Sequence, residues 1–369
     1  MEKIVLYVVA VFFIIGIIDY MLGNKFKLGN VFEDGINNMG ALAISMVGIL
    51  SITPLLSNLI IKRIAPITEI IGIDPTIISS SFIAIDMGAY NIAQNLGGSL
   101  EMTYFSGVLI ASILGCTISF TLPLALGLVK KEHLNILSKG ILCGIITLPF
   151  GLFIGGLLLK LRVNEILINL LPIILLSIIV SIGIYFYPNI TIKSFTIIGK
   201  CIVSLGLLGL IIQGFTSITG IILVRDLMPL EEALTTVGKI SIFLGGAYVM
   251  LEIVKRVLNK PLDKLKVKVD LNSSSIAALI GSLASAIIVF TTFDELDYRG
   301  KVICSAFSVG GAYVLGGQLA YVATEAKEIV IIYIFTKLLC GVLAIGLASI
   351  ILKKEENIKW FLMFNRIKK

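Results

Sequence analysis

Residues 102–129 read MTYFSGVLIASILGCTISFTLPLALGLV, without one Asp, Glu, Lys or Arg. An α-helix needs about 20 residues to cross the hydrocarbon core of a bilayer, so this run is long enough to span. Its apolar residues are continuous, whereas a barrel strand would alternate with a period of two over short segments. The stretch therefore reads as a membrane helix. Residues 35–61, 140–159, 166–192, 201–224, 271–293 and 302–324 are likewise free of charge, and each is 20 residues or longer.

The whole chain follows the same rule. Of 369 residues, 57% are apolar and 14% are charged, with a mean hydropathy of +1.03. A soluble domain carries roughly 25% charged residues to face water. The composition thus excludes a soluble enzyme, a disordered chain and a secreted disulfide scaffold. About eleven apolar segments can be drawn: 4–22, 36–60, 76–95, 102–129, 138–160, 165–187, 191–215, 236–258, 273–293, 300–324 and 328–352. The fold class is an all-α polytopic membrane protein. Residues 1–352 form one transmembrane domain, and 353–369 form a basic tail whose Trp360–Phe364 cluster suits an interfacial anchor. Residues 4–18 read as the first membrane helix, because no small-residue cleavage site follows them.

Two regions repeat one order of features. Each has an apolar helix ending in Lys-Arg (Lys62-Arg63, Lys255-Arg256), then a Pro-containing amphipathic stretch, then Asp74 or Asp270 opening a Ser-rich apolar segment. The expected repeat halves are 36–160 and 236–352, and weak internal symmetry of this kind is common among secondary transporters. Charge bias refines the topology. If all eleven segments cross, Lys and Arg divide almost evenly, with Lys337 left inside a span. If 76–95 and 273–293 are re-entrant hairpins, 21 basic residues fall on one side and 8 on the other. The positive-inside rule favours the second arrangement, an inverted repeat with a cytoplasmic tail.

Ionisable groups at membrane depth are costly and point to function. Asp86 lies mid-segment in Ile85-Asp86-Met87-Gly88-Ala89-Tyr90-Asn91-Ile92-Ala93-Gln94. On a helix, Asp86, Tyr90 and Gln94 share a face. A carboxylate, an aromatic ring and an amide together suit an organic ammonium. The alternative is that Asp86 caps a broken helix. Gly88 would allow a sharp turn. Asp297 and Arg299, before a long apolar helix, form either a solvated helix entry capped by Asp297 or a gate. Tyr313, Gly316, Gly317 and Gln318 lie in a Gly-rich helix that could face a cavity or simply pack closely. The serines at 79–81 and 273–275 suit hairpin tips or caps, and Gly245-Gly246-Ala247-Tyr248 suits helix packing. The five cysteines read as small buried hydrophobes. With one histidine, His133, and no cysteine cluster, no metal site is expected. No enzymatic or cofactor motif is readable. The net charge of +7 belongs to loops and tail, and points to anionic lipid rather than nucleic acid.

Several of these stretches resemble the EutH-type ethanolamine permease family of bacteria. They are Met39-Gly40-Ala41-Leu42-Ala43, Asp86-Met87-Gly88, Leu244-Gly245-Gly246-Ala247-Tyr248 and Asp297 with Arg299-Gly300-Lys301-Val302. The resemblance implies an inner-membrane carrier, not an enzyme, moving ethanolamine inward without ATP and without a cofactor. Asp86 would hold the ammonium, while Tyr90, Gln94, Tyr313 and Gln318 would line the pocket. Gly88, Asp297, Arg299, Gly316 and Gly317 would shape or gate it. Partners would be the substrate and the bilayer, with a homo-oligomer compatible. The chain departs from the family pattern at Gly316-Gly317-Gln318-Leu319-Ala320-Tyr321, where the family reads Gly-Asp-His-Leu-Gly-Phe, and at 285–290, where it reads Asn-Asn-Ile-Pro-Met-Phe. Those losses leave open another small amine or alcohol. A membrane-embedded enzyme acting on lipid, or a channel for small polar solutes, is the rival reading.

Overall fold

The computed structural model describes residues 2–96, 98–269 and 271–367, without the side chains of 258–269 and 356–367 and a few others. Asp270 and the side chains of the Trp360–Phe364 cluster thus lie outside the described residues. Among the described residues the protein is helical throughout, and eight helices are long and apolar enough to span a bilayer. The other three apolar segments contain shorter helices. Two of them turn back on themselves and one is broken mid-way.

In chain order, α1 is Glu2–Met21 and α2 is the continuous helix Gly29–Arg63. A short helix, Ala65–Ile71, leads to α3, Pro75–Phe82, and α4, Ala89–Leu96. The long α5 covers Leu100–Leu128. Then come α6 (Leu134–Leu158), α7 (Val163–Phe186), α8 (Pro188–Thr219) and α9 (Leu230–Val269). The last set is α10 (Ser273–Ser282), α11 (Ile287–Thr291), α12 (Tyr298–Gly310), α13 (Gly317–Glu325) and α14 (Val330–Ile367). The most deeply buried of the long helices is α5, whereas α1 and α8 turn exposed Ile, Leu and Val side chains outward. With lipid as solvent, such an outward apolar face carries no penalty.

Segment 76–95 is a hairpin. Asp74 caps α3, its side chain accepting from the Thr76 amide at 2.9 Å, and Pro75 supplies the preset φ of a first helical residue. The helix stops at Ile83, which is extended, and Gly88 closes the turn at φ +91°. The chain then returns along α4, so that Gly98 comes to lie against the Asp74 carboxylate. Segment 273–293 does the same from the other end of the bundle. Asn272 caps α10, and its backbone N–H donates to Asp297 Oδ1 at 3.1 Å. Its side-chain amide donates to the Glu295 carbonyl at 2.9 Å, which ties entry to exit. No proline is needed here, because the turn after Leu283 is held by the broken helix beside it.

The two hairpins enter from opposite ends. Tyr104, near the start of α5, donates to Glu328 at 3.2 Å, and Lys130, beyond its end, pairs with Asp294 at 2.6 Å. Midway, the Thr117 hydroxyl donates to the Val309 carbonyl at 2.8 Å. The segment α12–α13 therefore runs antiparallel to α5, and the base of each hairpin sits at an opposite end. The Asp297 end gathers basic residues: Lys139 binds Glu355 at 2.5 Å, Arg256 binds the Phe26 carbonyl at 2.8 Å, and Lys301 lies 3.2 Å from His133. These are residues that charge bias assigns to the cytoplasm. A cysteine introduced as Lys131→Cys should accordingly react with an impermeant maleimide only from the cytoplasmic side, and Arg162→Cys only from outside. Labelling of both from one side would refute this orientation.

Gly245 and Gly246 pack as expected. A Cβ at Gly35 would come 2.7 Å from the Gly245 backbone, and one at Gly246 would come 2.4 Å from the Val9 carbonyl. Four cysteines are buried, but Cys201 is exposed, on α8, contrary to the reading of all five as buried. That helix packs on the bundle with one face only.

Candidate functional site

Asp86 sits at the tip of the first hairpin, in the single turn Ile85–Met87 between α3 and α4. The helical face proposed for Asp86, Tyr90 and Gln94 therefore does not form. The helix begins only at Ala89, after the left-handed Gly88, and the register of 86 relative to 90 and 94 is broken. Gln94 is exposed near the hairpin base, away from the tip. Gly88 has the role expected of it. Its φ of +91° belongs to the region glycine enters freely, and a Cβ there would meet Thr53 Oγ1 at 2.9 Å.

The Asp86 carboxylate is partly buried and takes no hydrogen bond from another side chain; its donor is its own backbone amide. Its charged neighbour is Lys337, on α14, which lies in electrostatic range without a direct hydrogen bond. Lys337 is 1% exposed. Its ammonium donates to the Ser112 carbonyl at 2.7 Å and to Gln318 Oε1 at 2.7 Å, and lies 5.8 Å from the centre of the Tyr333 ring. Sequence reading weighs Lys337 only as a charge inside a span, although an ionisable group at that depth is itself the signal.

Gln318 is buried, as its candidacy requires, with Nε2 left without a partner. Beside it, α12 and α13 are separated by an unwound stretch through 311–316, in which Tyr313 has φ +62°. This break receives the second hairpin. The Tyr313 amide donates to the Ser282 carbonyl at 3.0 Å, and the Leu315 amide to the Leu283 carbonyl at 2.8 Å. A Cβ on Gly316 would lie 2.1 Å from the Ala284 carbonyl oxygen, while one on Gly317 would meet open space. The Tyr313 hydroxyl is buried without a partner, its ring edge-on to Phe120 at 5.9 Å. The first hairpin is seated in a similar way on α5. A Cβ on Gly115 would come 2.3 Å from the Ile83 carbonyl oxygen and 2.4 Å from that of Ser80.

Tyr90 is buried on α4, stacked parallel to Tyr104 at 6.2 Å and edge-on to Tyr321 at 6.4 Å. Tyr321 donates to Asn91 Oδ1 at 2.5 Å and has Asp86 within electrostatic range. Tyr104 reaches Glu328 at the Asp74 end, where Glu325 also lies near. The three tyrosines thus form one buried aromatic cluster beside an acidic rim, with Asp86 in electrostatic range of Tyr321. Neither Tyr104 nor Tyr321 was separable in sequence from ordinary packing aromatics.

Asp297 caps α12, accepting from the Gly300 amide at 3.3 Å and from the Ser275 hydroxyl at 2.6 Å as well as from Asn272. Arg299 follows in the first helical turn, partly buried. The geometry of Asp297 is that of a cap that also closes the hairpin base. Substituting Asp297→Ala removes the acceptor of three hydrogen bonds. A cap is worth about 1 kcal/mol and each further bond about as much, so a loss of about 2–3 kcal/mol is expected in denaturant unfolding of the purified protein, with Asp297→Asn recovering part. At the same base, the hydrogen bond from Lys130 holds the Asp294 carboxyl below the usual carboxylate range. That tie is lost only as pH falls through this lowered value. The serines at 79–81 cap nothing: Ser79 and Ser81 bond back to the Thr76 and Ile77 carbonyls within α3.

These features define a multi-pass α-helical membrane protein with two opposed re-entrant hairpins and an ionisable cluster against their tips. The chain belongs to the EutH family: the family described as "Ethanolamine utilisation protein, EutH" matches residues 1–351. It is 37% identical over 359 residues to a protein of Listeria monocytogenes named "Probable ethanolamine permease EutH", covering 96% of both chains. It is 32% identical over 393 residues to the Escherichia coli protein of the same name, again covering 96% of both. It is also 37% identical over 345 residues to the Bacillus subtilis protein YxeR. No solved structure matches it. This kinship and the eight apolar helices make the chain a multi-pass bacterial membrane protein.

Proposed function

We propose that the protein is a carrier that takes up a small organic ammonium, ethanolamine by kinship, by alternating access and without ATP. The observation that carries this reading is the Asp86 carboxylate, partly exposed at a hairpin tip and unclaimed by any other side chain. A primary amine with a pKa near that of lysine is mostly protonated at neutral pH. Its ammonium could replace lost hydration with the carboxylate and with aromatic faces along its path. Tyr104, Tyr90 and Tyr321 line such a path from Glu325 and Glu328. Gln318, with an unpartnered Nε2, and the Tyr313 hydroxyl are groups that could meet the substrate hydroxyl. Gln94 is left out of the pocket.

The hairpins support alternating access. They enter from opposite ends, as expected if 36–160 and 236–352 are halves of opposite orientation. The first tip is seated on α5 through Gly115 and the second in the break between α12 and α13 through Gly316, so movement of one half against the other would open the site to one side at a time. The basic residues gathered at the Asp297 end support that end as cytoplasmic, with the acidic mouth outside. Uptake of labelled ethanolamine by proteoliposomes at about pH 6, where the neutral form that leaks through lipid is scarce, tests the reading. Saturable uptake competed by unlabelled ethanolamine is expected. Uptake no faster than in protein-free liposomes would refute it.

A further inference from the structure

Lys337 presents a problem that the binding reading leaves open. It is an ammonium 1% exposed about two turns into α14, and both of its hydrogen-bond acceptors, the Ser112 carbonyl and Gln318 Oε1, are neutral. The titratable groups within its electrostatic range are Asp86 from the hairpin tip, Cys116 from α5 and Cys340 on its own helix. The other helices packed here bring no charge: α6 faces this stretch with Gly151 against Cys340 and Gly155 against Thr336, and α12 faces it with Gly310. Among the described residues, Asp86 is therefore the carboxylate that balances Lys337. A substrate ammonium docked on Asp86 would set two cations against one anion in a medium of low dielectric, where like charges repel strongly.

We propose that Lys337 is the resident cation of the site and releases its proton when a substrate ammonium docks on Asp86, so that the carrier exchanges one substrate ammonium for one proton and moves no net charge. The inference rests on the reading of Asp86 as the ammonium site. From the outer face, the substrate ammonium meets the carboxylate, an N–H bond at Lys337 Nζ breaks, and the proton passes to water on that side. After reorientation the substrate leaves to the cytoplasm, and Nζ takes a proton from that side. The amine that remains between the two steps still donates to Gln318 and Ser112, so the cluster keeps its hydrogen bonds while its charge moves. Lysine suits this role because its charge state responds to burial, whereas arginine stays charged in proteins. Uptake is then driven by the substrate and proton gradients together and is indifferent to the membrane potential.

The test uses the full chain in proteoliposomes at about pH 6, with labelled ethanolamine, an interior pH dye and a potassium diffusion potential. Wild-type uptake is expected to alkalinise the interior by one proton per substrate and to be unchanged by an inside-negative potential. Lys337→Met, which cannot donate the proton, is expected to make uptake carry charge. Accumulation would then rise about tenfold for each ~60 mV. Lys337→Arg, which keeps the charge permanently, is expected to reduce uptake to the protein-free level at an unchanged unfolding midpoint. A merely structural ammonium would instead tolerate Arg better than Met. Wild-type uptake that follows the potential without interior alkalinisation would overturn the inference and leave the ethanolamine reading standing, as would a Lys337→Arg protein that transports like wild type. Absence of any wild-type uptake would overturn both.

Discussion

Asp86→Asn should reduce ethanolamine uptake in proteoliposomes by about 100-fold or more while the purified protein remains folded. The substitution keeps shape and removes charge. Breaking a buried charge pair by deleting one partner costs about 3–5 kcal/mol, which corresponds to roughly 10²–10⁴ in affinity. The Asp86 side chain holds no other side chain in place, so its loss leaves the hairpin's hydrogen bonds intact. The turn itself rests on Gly88 and on the backbone bond from the Met87 amide to the Ala84 carbonyl at 3.0 Å. The variant also strands the Lys337 ammonium without its balancing anion. An Asp86→Asn protein that transports like wild type would remove the carboxylate from the mechanism.

The second large effect is expected at a residue that touches no substrate. Gly115→Ala should lower uptake roughly ten- to hundred-fold. The added methyl would stand 2.3 Å from one backbone oxygen and 2.4 Å from another, on Ile83 and Ser80 at the end of α3. Neither atom is the free end of a side chain, so the clash is relieved only by lifting the hairpin from α5. Overpacking of this kind costs about 1–3 kcal/mol, and here the strain falls on the turn that carries Asp86. The measurement is uptake together with the unfolding midpoint. A Gly115→Ala protein with normal uptake would show that the hairpin tip tolerates displacement. Gly40→Ala is a control: a Cβ there meets nothing within 4 Å, so uptake should be unchanged.

Much of the fold was legible because lipid imposes a simple rule on sequence. Charge-free runs such as 102–129 become long helices, and 102–129 became the buried centre of the bundle. The hairpins were legible through the distribution of Lys and Arg rather than through local propensity. The second hairpin forms without a proline at 285–290. Its turn is held from outside, by Tyr313 and Leu315 donating to Ser282 and Leu283, and no local signal records such support.

The site was legible in part. Asp86 and Gln318 stand out in sequence as polar groups in apolar runs, and both lie in the cluster around Lys337. Gln94 looked equivalent to Tyr90 because helical periodicity was extended through Gly88, where the chain leaves the helix. Lys337 meets Ser112 across 225 residues and Gln318 across 19. Pairings between separate helices leave no periodic trace. By itself the sequence determined the solvent, the class and the long apolar helices, since all of these depend on composition summed along the chain. Only the tertiary structure decided which polar groups meet. In a bilayer the apolar surface can pack in many ways, and the choice among them is made by close backbone contacts such as those at Gly115 and Gly316, which bring distant charges to one place.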